Sequence, residues 1–235
     1  MADALDAAVD HVAVAVADLD TAGRWWGDQL GGGLVSFNQG PTFGFRQYRY
    51  ANGARVELLA PPSTGGHFVA AFLERFGSQV HHLTLKVPDL AQAVDVVEAA
   101  GLQVRDLQDT SSVWREAFLR PSQVGGLIVQ LACSPIDEDA WAERVGHHPQ
   151  PPAATAPAVL GPTLRHPDLS AARRLWTVLG ADVAESGDGL VCRWPGSVLT
   201  VNVVVGQPAG PVSLRLQGGR LPAERPPTPT IAHRR

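Results

Sequence analysis

Apolar alternation, a polar turn and then an amphipathic stretch recur three times along the chain. The three stretches are HVAVAVADLDTAGRWW from His11, HLTLKVPDLAQAVDVV from His82 and GPTLRHPDLSAARRLW from Gly161. In each, a strand-like run leads to a turn ending in Asp-Leu, at Asp18, Asp89 and Asp168, and a helical period follows. A short carboxylate there accepts hydrogen bonds from the unpaired amides of a first helical turn. Each helix is predicted to stop at a glycine, Gly31, Gly101 and Gly180, where a left-handed backbone costs little.

Strand-like runs complete each repeat. LVSFN, FGFRQYRY and ARVELLAP follow the first helix; VRDLQD, WREAFLRP and GGLIVQLAC follow the second. DVAES, LVCRW and VLTVNVVV follow the third, and VSLRLQ comes after them. The predicted fold class is α+β, made of tandem βαβββ modules of about 55 to 70 residues each. Two modules form one domain over 1–134, a Pro/Ala-rich linker spans 135–157, a third module spans 158–218 and a disordered tail spans 219–235.

The Asp-Leu turns set the repeat register. Asp18 and Asp89 are 71 positions apart, and the same step carries His11 onto His82. In QVHHLTLKV the neighbouring His81 therefore faces the other way, because adjacent strand residues point to opposite faces. The last strand of module one holds Glu57 among Val56, Leu58 and Leu59; that of module two holds Gln130 in GGLIVQLA. Burying a carboxylate among aliphatic residues costs several kcal/mol unless a partner or an ion compensates it. Two neutral imidazoles and a carboxylate suit a divalent ion of the zinc, cobalt, nickel, manganese or iron type, with Gln130 able to add a carbonyl oxygen. The third module has Gly161 in place of the histidine and, near Thr200, no acid.

DHVAVAVADLDTAGRWW, VELLAP, FLERFGSQVHHLTLKVPDL and AFLRPSQVGGLIVQLA, in that order over about residues 8–133, resemble the vicinal oxygen chelate superfamily, which includes glyoxalases, bleomycin-resistance proteins and extradiol dioxygenases. The likeness is to its methylmalonyl-CoA epimerase-like branch. The resemblance implies paired βαβββ modules curled into a cup around one metal, with metal positions at His11, Glu57, His82 and Gln130. It further implies an isomerase or lyase that works through a metal-stabilised enolate on a carbonyl or acyl-thioester substrate. In that branch the last ligand is typically Glu and acts as a base; here it is Gln130, while the usual Gln position is Glu57. Acid and amide are exchanged, which makes Glu57 the candidate catalytic base. The same two-His, one-carboxylate set also serves non-haem Fe(II) dioxygenases, and a non-catalytic small-molecule-binding protein is the third reading.

Phe43, Phe45 and Trp114 are candidates for a substrate pocket, and Trp25 and Trp26 for core packing. Arg46, Arg49 and Arg115 read more readily as strand-face charges than as anion clamps, and His147 as a solvated linker residue. With 45% hydrophobic and 18% charged residues, the composition is that of a globular protein. A net charge of −4 argues against a nucleic-acid partner. Two isolated cysteines, no basic-apolar leader in MADALDAAVD and no run of roughly 18 apolar residues lead to the expectation of a cytoplasmic protein without a membrane partner. A small-molecule substrate is the expected partner. The ligand-free third module is expected either to pair with a second copy in a homodimer or to cover the first two.

Overall fold

The three Asp-Leu turns fold alike in the computed structural model, which describes residues 4–62, 68–223 and 229–234. Asp18 accepts from the Thr21 amide at 2.7 Å, Asp89 from the Gln92 amide at 3.1 Å, and Asp168 from the Ser170 and Ala171 amides at 2.8 and 3.0 Å. The bond from the Thr21 amide, first among the causes, holds the Asp18 carboxyl below its ordinary value. The helices close on Gly31, Gly101 and Gly180 with φ of 86°, 85° and 84°. That backbone is open to glycine and strained for other residues.

Around these caps three βαβββ units form. The first runs β1 (Ala8–Ala15), α1 (Leu19–Gly23), β2 (Gly33–Gln39), β3 (Gly44–Arg49) and β4 (Arg55–Ala60). Arg24–Gln29 continues α1 as a π-helical turn. It buries Trp25 and Trp26 edge to face at 5.0 Å, and the Tyr50 hydroxyl donates to the Trp26 carbonyl. Gly27 in the same turn leaves room for the Tyr48 ring, since a Cβ there would lie 2.8 Å from it. After α2 (Phe68–Phe76) the second unit runs β5 (Val80–Lys86), α3 (Leu90–Ala99), β6 (Val104–Gln108), β7 (Arg115–Leu119) and β8 (Ile128–Cys133). After α4 (Glu138–Arg144) the third runs β9 (Ala158–His166), α5 (Leu169–Val178), β10 (Asp182–Ser186), β11 (Gly189–Arg193) and β12 (Val201–Val205).

In every unit the first strand lies parallel to the last: Ala13 faces Glu57, Thr84 faces Gln130 and Thr163 faces Asn202. The strand orders are β2-β3-β4-β1-β5-β8-β7-β6 in one sheet and β10-β11-β12-β9-β13-β14 in the other, with β13 at Gly210–Gln217 and β14 at Ile231–Arg234. The α+β class with repeated βαβββ modules is thus as the sequence predicts. The register corrects one match. The third-module counterpart of Glu57 is Asn202 rather than a position near Thr200, because Thr163 stands 150 positions after Ala13 and pairs with Asn202.

Two compact units divide the chain. One comprises Met1–Asp10, His82–Ile136 and Gly161–Val212; the other comprises His11–His81, Asp137–Leu160 and Ser213–Arg235. In the former, the second and third modules meet: Gly125 lies against the His166 ring and Gly126 against the Ala209 carbonyl. The Leu5 amide donates to Val178 and the Val9 amide to Ser197, so the N-terminal segment is tied to the third module. In the latter, the Asn52 side chain holds both the Val159 amide and its carbonyl.

Two expectations need correction. The 135–157 stretch is not only a linker, since Asp137 caps α4 through the Ala140 amide. The 219–235 tail is not without structure, since β14 (Ile231–Arg234) pairs with β13 (Gly210–Gln217) from Leu214↔Ile231 to Gln217↔Arg234. Among the described residues, no helix is long and apolar enough to cross a membrane.

Candidate metal centre

In the first module, β1 and β4 present His11 and Glu57 on one face. Ala13 pairs with Glu57, and His11 stands two residues before Ala13, hence on the same side. His11 Nε2 lies 3.8 Å from Glu57 Oε1, with the imidazole buried and the carboxylate 13% exposed. Further along this face, Ala13, Ala15, Leu59 and Val69 form an apolar cluster on which Phe43, Phe45, Phe72 and Leu73 pack. Across the strands from Glu57 come Gln47 and then Ser36, both buried, with no hydrogen-bond partner for Gln47 Oε1 or Ser36 Oγ.

The second module shows a matching face with a different distribution of charge. His82, Thr84 and Gln130 share it, all buried, with Thr84 opposite Gln130. The Thr84 hydroxyl donates to Gln130 Oε1 at 2.6 Å, and Gln130 Nε2 donates to Glu116 Oε2 at 2.6 Å. Trp114 Nε1 donates to the same Glu116 oxygen at 2.7 Å. The Lys86 ammonium lies 5.2 Å from the Trp114 ring centre and 3.8 Å from Asp10 Oδ1. Glu116 is the residue that reading the sequence missed. It sits two residues before Phe118, which pairs with Gln130, and so shares that face, a register that only the strand pairing reveals.

The ligand atoms of His11, Glu57 and His82 all lie within 4.8 Å of one another. Two donors bound to one ion at roughly 2.1 Å each stand at most about 4.2 Å apart, so small side-chain rotations bring this set onto one ion. Two imidazoles with one carboxylate form a donor set that fits zinc, cobalt, nickel, manganese or iron.

The other half of the histidine pair behaves as the strand period predicts. His81 is packed against the rings of Phe72 and Phe68 at 4.6 and 5.8 Å, and burial lowers its pKa to about 4. It is a neutral core residue at neutral pH. The arginines weighed as anion clamps are engaged elsewhere. Arg46 binds Asp20 and the Leu19 carbonyl, Arg49 binds Asp139, and Arg115 donates to Cys133 Sγ at 3.1 Å. His147 is not the solvated residue expected of a linker: its ring stacks on Phe37 at 4.1 Å.

Residues 10–118 match the family model of the Glyoxalase/Bleomycin resistance protein/Dioxygenase superfamily. That match bears out the resemblance read from the sequence. Over 128 residues, 52% of this chain, the protein is 26% identical to a mouse protein named methylmalonyl-CoA epimerase, mitochondrial, of which 71% is covered. It is 28% identical over the same length to an ethylmalonyl-CoA/methylmalonyl-CoA epimerase of Cereibacter sphaeroides, of which 95% is covered. The crystal structure of methylmalonyl-CoA epimerase from Mycobacterium tuberculosis superposes with a TM-score of 0.51 at 27% identity, covering 60% of this chain and 97% of that one. A hypothetical protein from Staphylococcus aureus, 10% identical, shares the fold over 90% of this chain and 91% of its own, with a TM-score of 0.63. The fold likeness therefore extends well past the epimerase-like half.

Proposed function

We propose that the protein is a divalent-metal-dependent epimerase-type enzyme acting on the carbon next to the carbonyl of an acyl thioester. The observation that carries this reading is the His11, Glu57, His82 cluster, standing in the half of the chain that is similar to methylmalonyl-CoA epimerases. In this reading His11, Glu57 and His82 would hold the ion, which when bound would supply Lewis-acid stabilisation of negative charge on the substrate carbonyl oxygen. Glu57, exposed enough to meet solvent or substrate, has a second oxygen with which to accept the proton. Phe43, Phe45 and Trp114 are assigned to the pocket walls, where apolar surface excludes water from a charged intermediate.

A second reading rests on the same donor set, because two histidines and a carboxylate are also the ligands of Fe(II) oxygenases. Metal analysis of the purified protein, combined with two assays, separates them. Deuterium entering methylmalonyl-CoA from D2O in the presence of Co(II) or Zn(II) is the expected result. Oxygen consumption under Fe(II) without such exchange selects the dioxygenase. Protein that takes up no ion and catalyses neither reaction is a ligand-binding protein. Glu57→Gln that loses the ion yet retains turnover removes Glu57 from the chemistry.

A further inference from the structure

Gln130 is occupied at both ends. Its amide oxygen accepts from the Thr84 hydroxyl and its nitrogen donates to Glu116 Oε2, each at 2.6 Å. With Oε1 aimed at Thr84, the amide nitrogen is committed to the carboxylate side, and a nitrogen carrying two hydrogens does not ligate a cation. The Thr84 hydroxyl takes one lone pair of Oε1 and leaves a single one with which Gln130 could reach an ion. An amide oxygen is also the weakest donor among the four residues on these strands. By contrast, His11, Glu57 and His82 supply a three-ligand set without it.

We infer that Gln130 is not a metal ligand but a positioning residue, which holds Glu116 as the carboxylate of the second module's site face. This rests on the metal-dependent reading above. Two donors, Gln130 Nε2 and Trp114 Nε1, converge on Oε2 of Glu116. They fix the carboxylate plane and leave Oε1 outside the pair. On this geometry Glu116 Oε1 takes the proton from one side of the substrate carbon as the C–H electron pair moves toward the carbonyl oxygen, and the Glu57 carboxylate of the reading above serves the other side. The pair returns to carbon when a proton taken up from solvent is delivered to the other side through Glu57 and Glu116 releases its own to solvent, so the protons balance and nothing is oxidised or reduced. The Glu116 carboxylate only accepts and so sets which way the amide faces, while the buried Thr84 hydroxyl donates to the oxygen end.

The test uses the full-length protein and compares Gln130→Leu, Gln130→Ala, Glu116→Gln and His82→Ala. Co(II) affinity is the first readout. Both Gln130 variants are expected to bind within about threefold of the parent, whereas His82→Ala loses roughly a hundredfold or more. Turnover is the second: Glu116→Gln lowers deuterium exchange into methylmalonyl-CoA by roughly 10²–10⁴ with the ion still bound, and the Gln130 variants lower kcat more than they raise KM. The third needs no activity. The indole N–H resonance of Trp114, assigned with Trp114→Phe, shifts in both Glu116→Gln and Gln130→Leu. Loss of Co(II) from both Gln130 variants to the extent seen in His82→Ala overturns the inference, as does full exchange by Glu116→Gln. If the parent itself binds no ion, the metal-dependent reading fails first and takes this inference with it.

Discussion

The first two modules place the same residue types on the same face but exchange their positions. Module one has its acid, Glu57, on the last strand and an amide, Gln47, opposite it on the strand before. Module two has its amide, Gln130, on the last strand and its acid, Glu116, on the strand before. On that face each first strand carries one buried histidine, His11 or His82. The third module keeps the amide type alone, as Asn202, with Gly161 where the others have histidine. A repeat can thus conserve its backbone register while charge moves one strand across. Among the described residues, a donor set for an ion stands where acid, imidazole and imidazole converge.

The largest expected effect tests whether the two histidines are equivalent. His11→Ala and His82→Ala should each abolish stoichiometric metal binding, read by elemental analysis after dialysis. His81→Phe should leave metal content unchanged, because that neutral ring sits among Phe68 and Phe72. Equal loss in all three would mean that the pair acts through folding rather than ligation. The next effect breaks the symmetry of the last strands. Glu57→Gln removes the anionic ligand and is expected to weaken Co(II) binding by roughly tenfold to a hundredfold, while Gln130→Leu is not. Comparable losses at both positions would make the two modules equivalent ligands.

Much of this comparison was legible along the chain. The caps and stops were, because Asp18, Asp89 and Asp168 act on amides two or three residues away and Gly31, Gly101 and Gly180 act on their own backbone. The equivalence of His11 and His82 followed from counting between those caps. Glu116 was not legible as a site residue, because its partner Gln130 is 14 positions away and the contact depends on how two strands pair. Asn202 was misplaced by two residues for the same reason: the turn before β12 differs in length from its counterparts, and only strand register resolves it. Ile231–Arg234, polar and short, carried no apolar period, and its pairing with β13 comes from backbone hydrogen bonding that side-chain patterns do not record.

The smallest expected effect concerns the caps, where modules one and two should behave alike whatever their chemistry. Asp18 and Asp89 each satisfy one amide of a first helical turn. Asp18→Ala and Asp89→Ala should each cost about 1 kcal/mol, or roughly 2–4 °C in melting temperature for a chain of this size, without changing metal content. For Asp18 the folded carboxyl titrates below its ordinary 3.8. Its contribution is therefore full above that pH and falls as acid takes the pH down through the lowered folded value. The melting-temperature gap between parent and Asp18→Ala should accordingly hold from pH 7 to about 5 and narrow below 3.8. A gap that persists unchanged in acid would mean that Asp18 stabilises α1 by packing rather than by its charge. A substantial gap in metal content between the two cap variants would mean that the helices, and not only the strands, distinguish the modules.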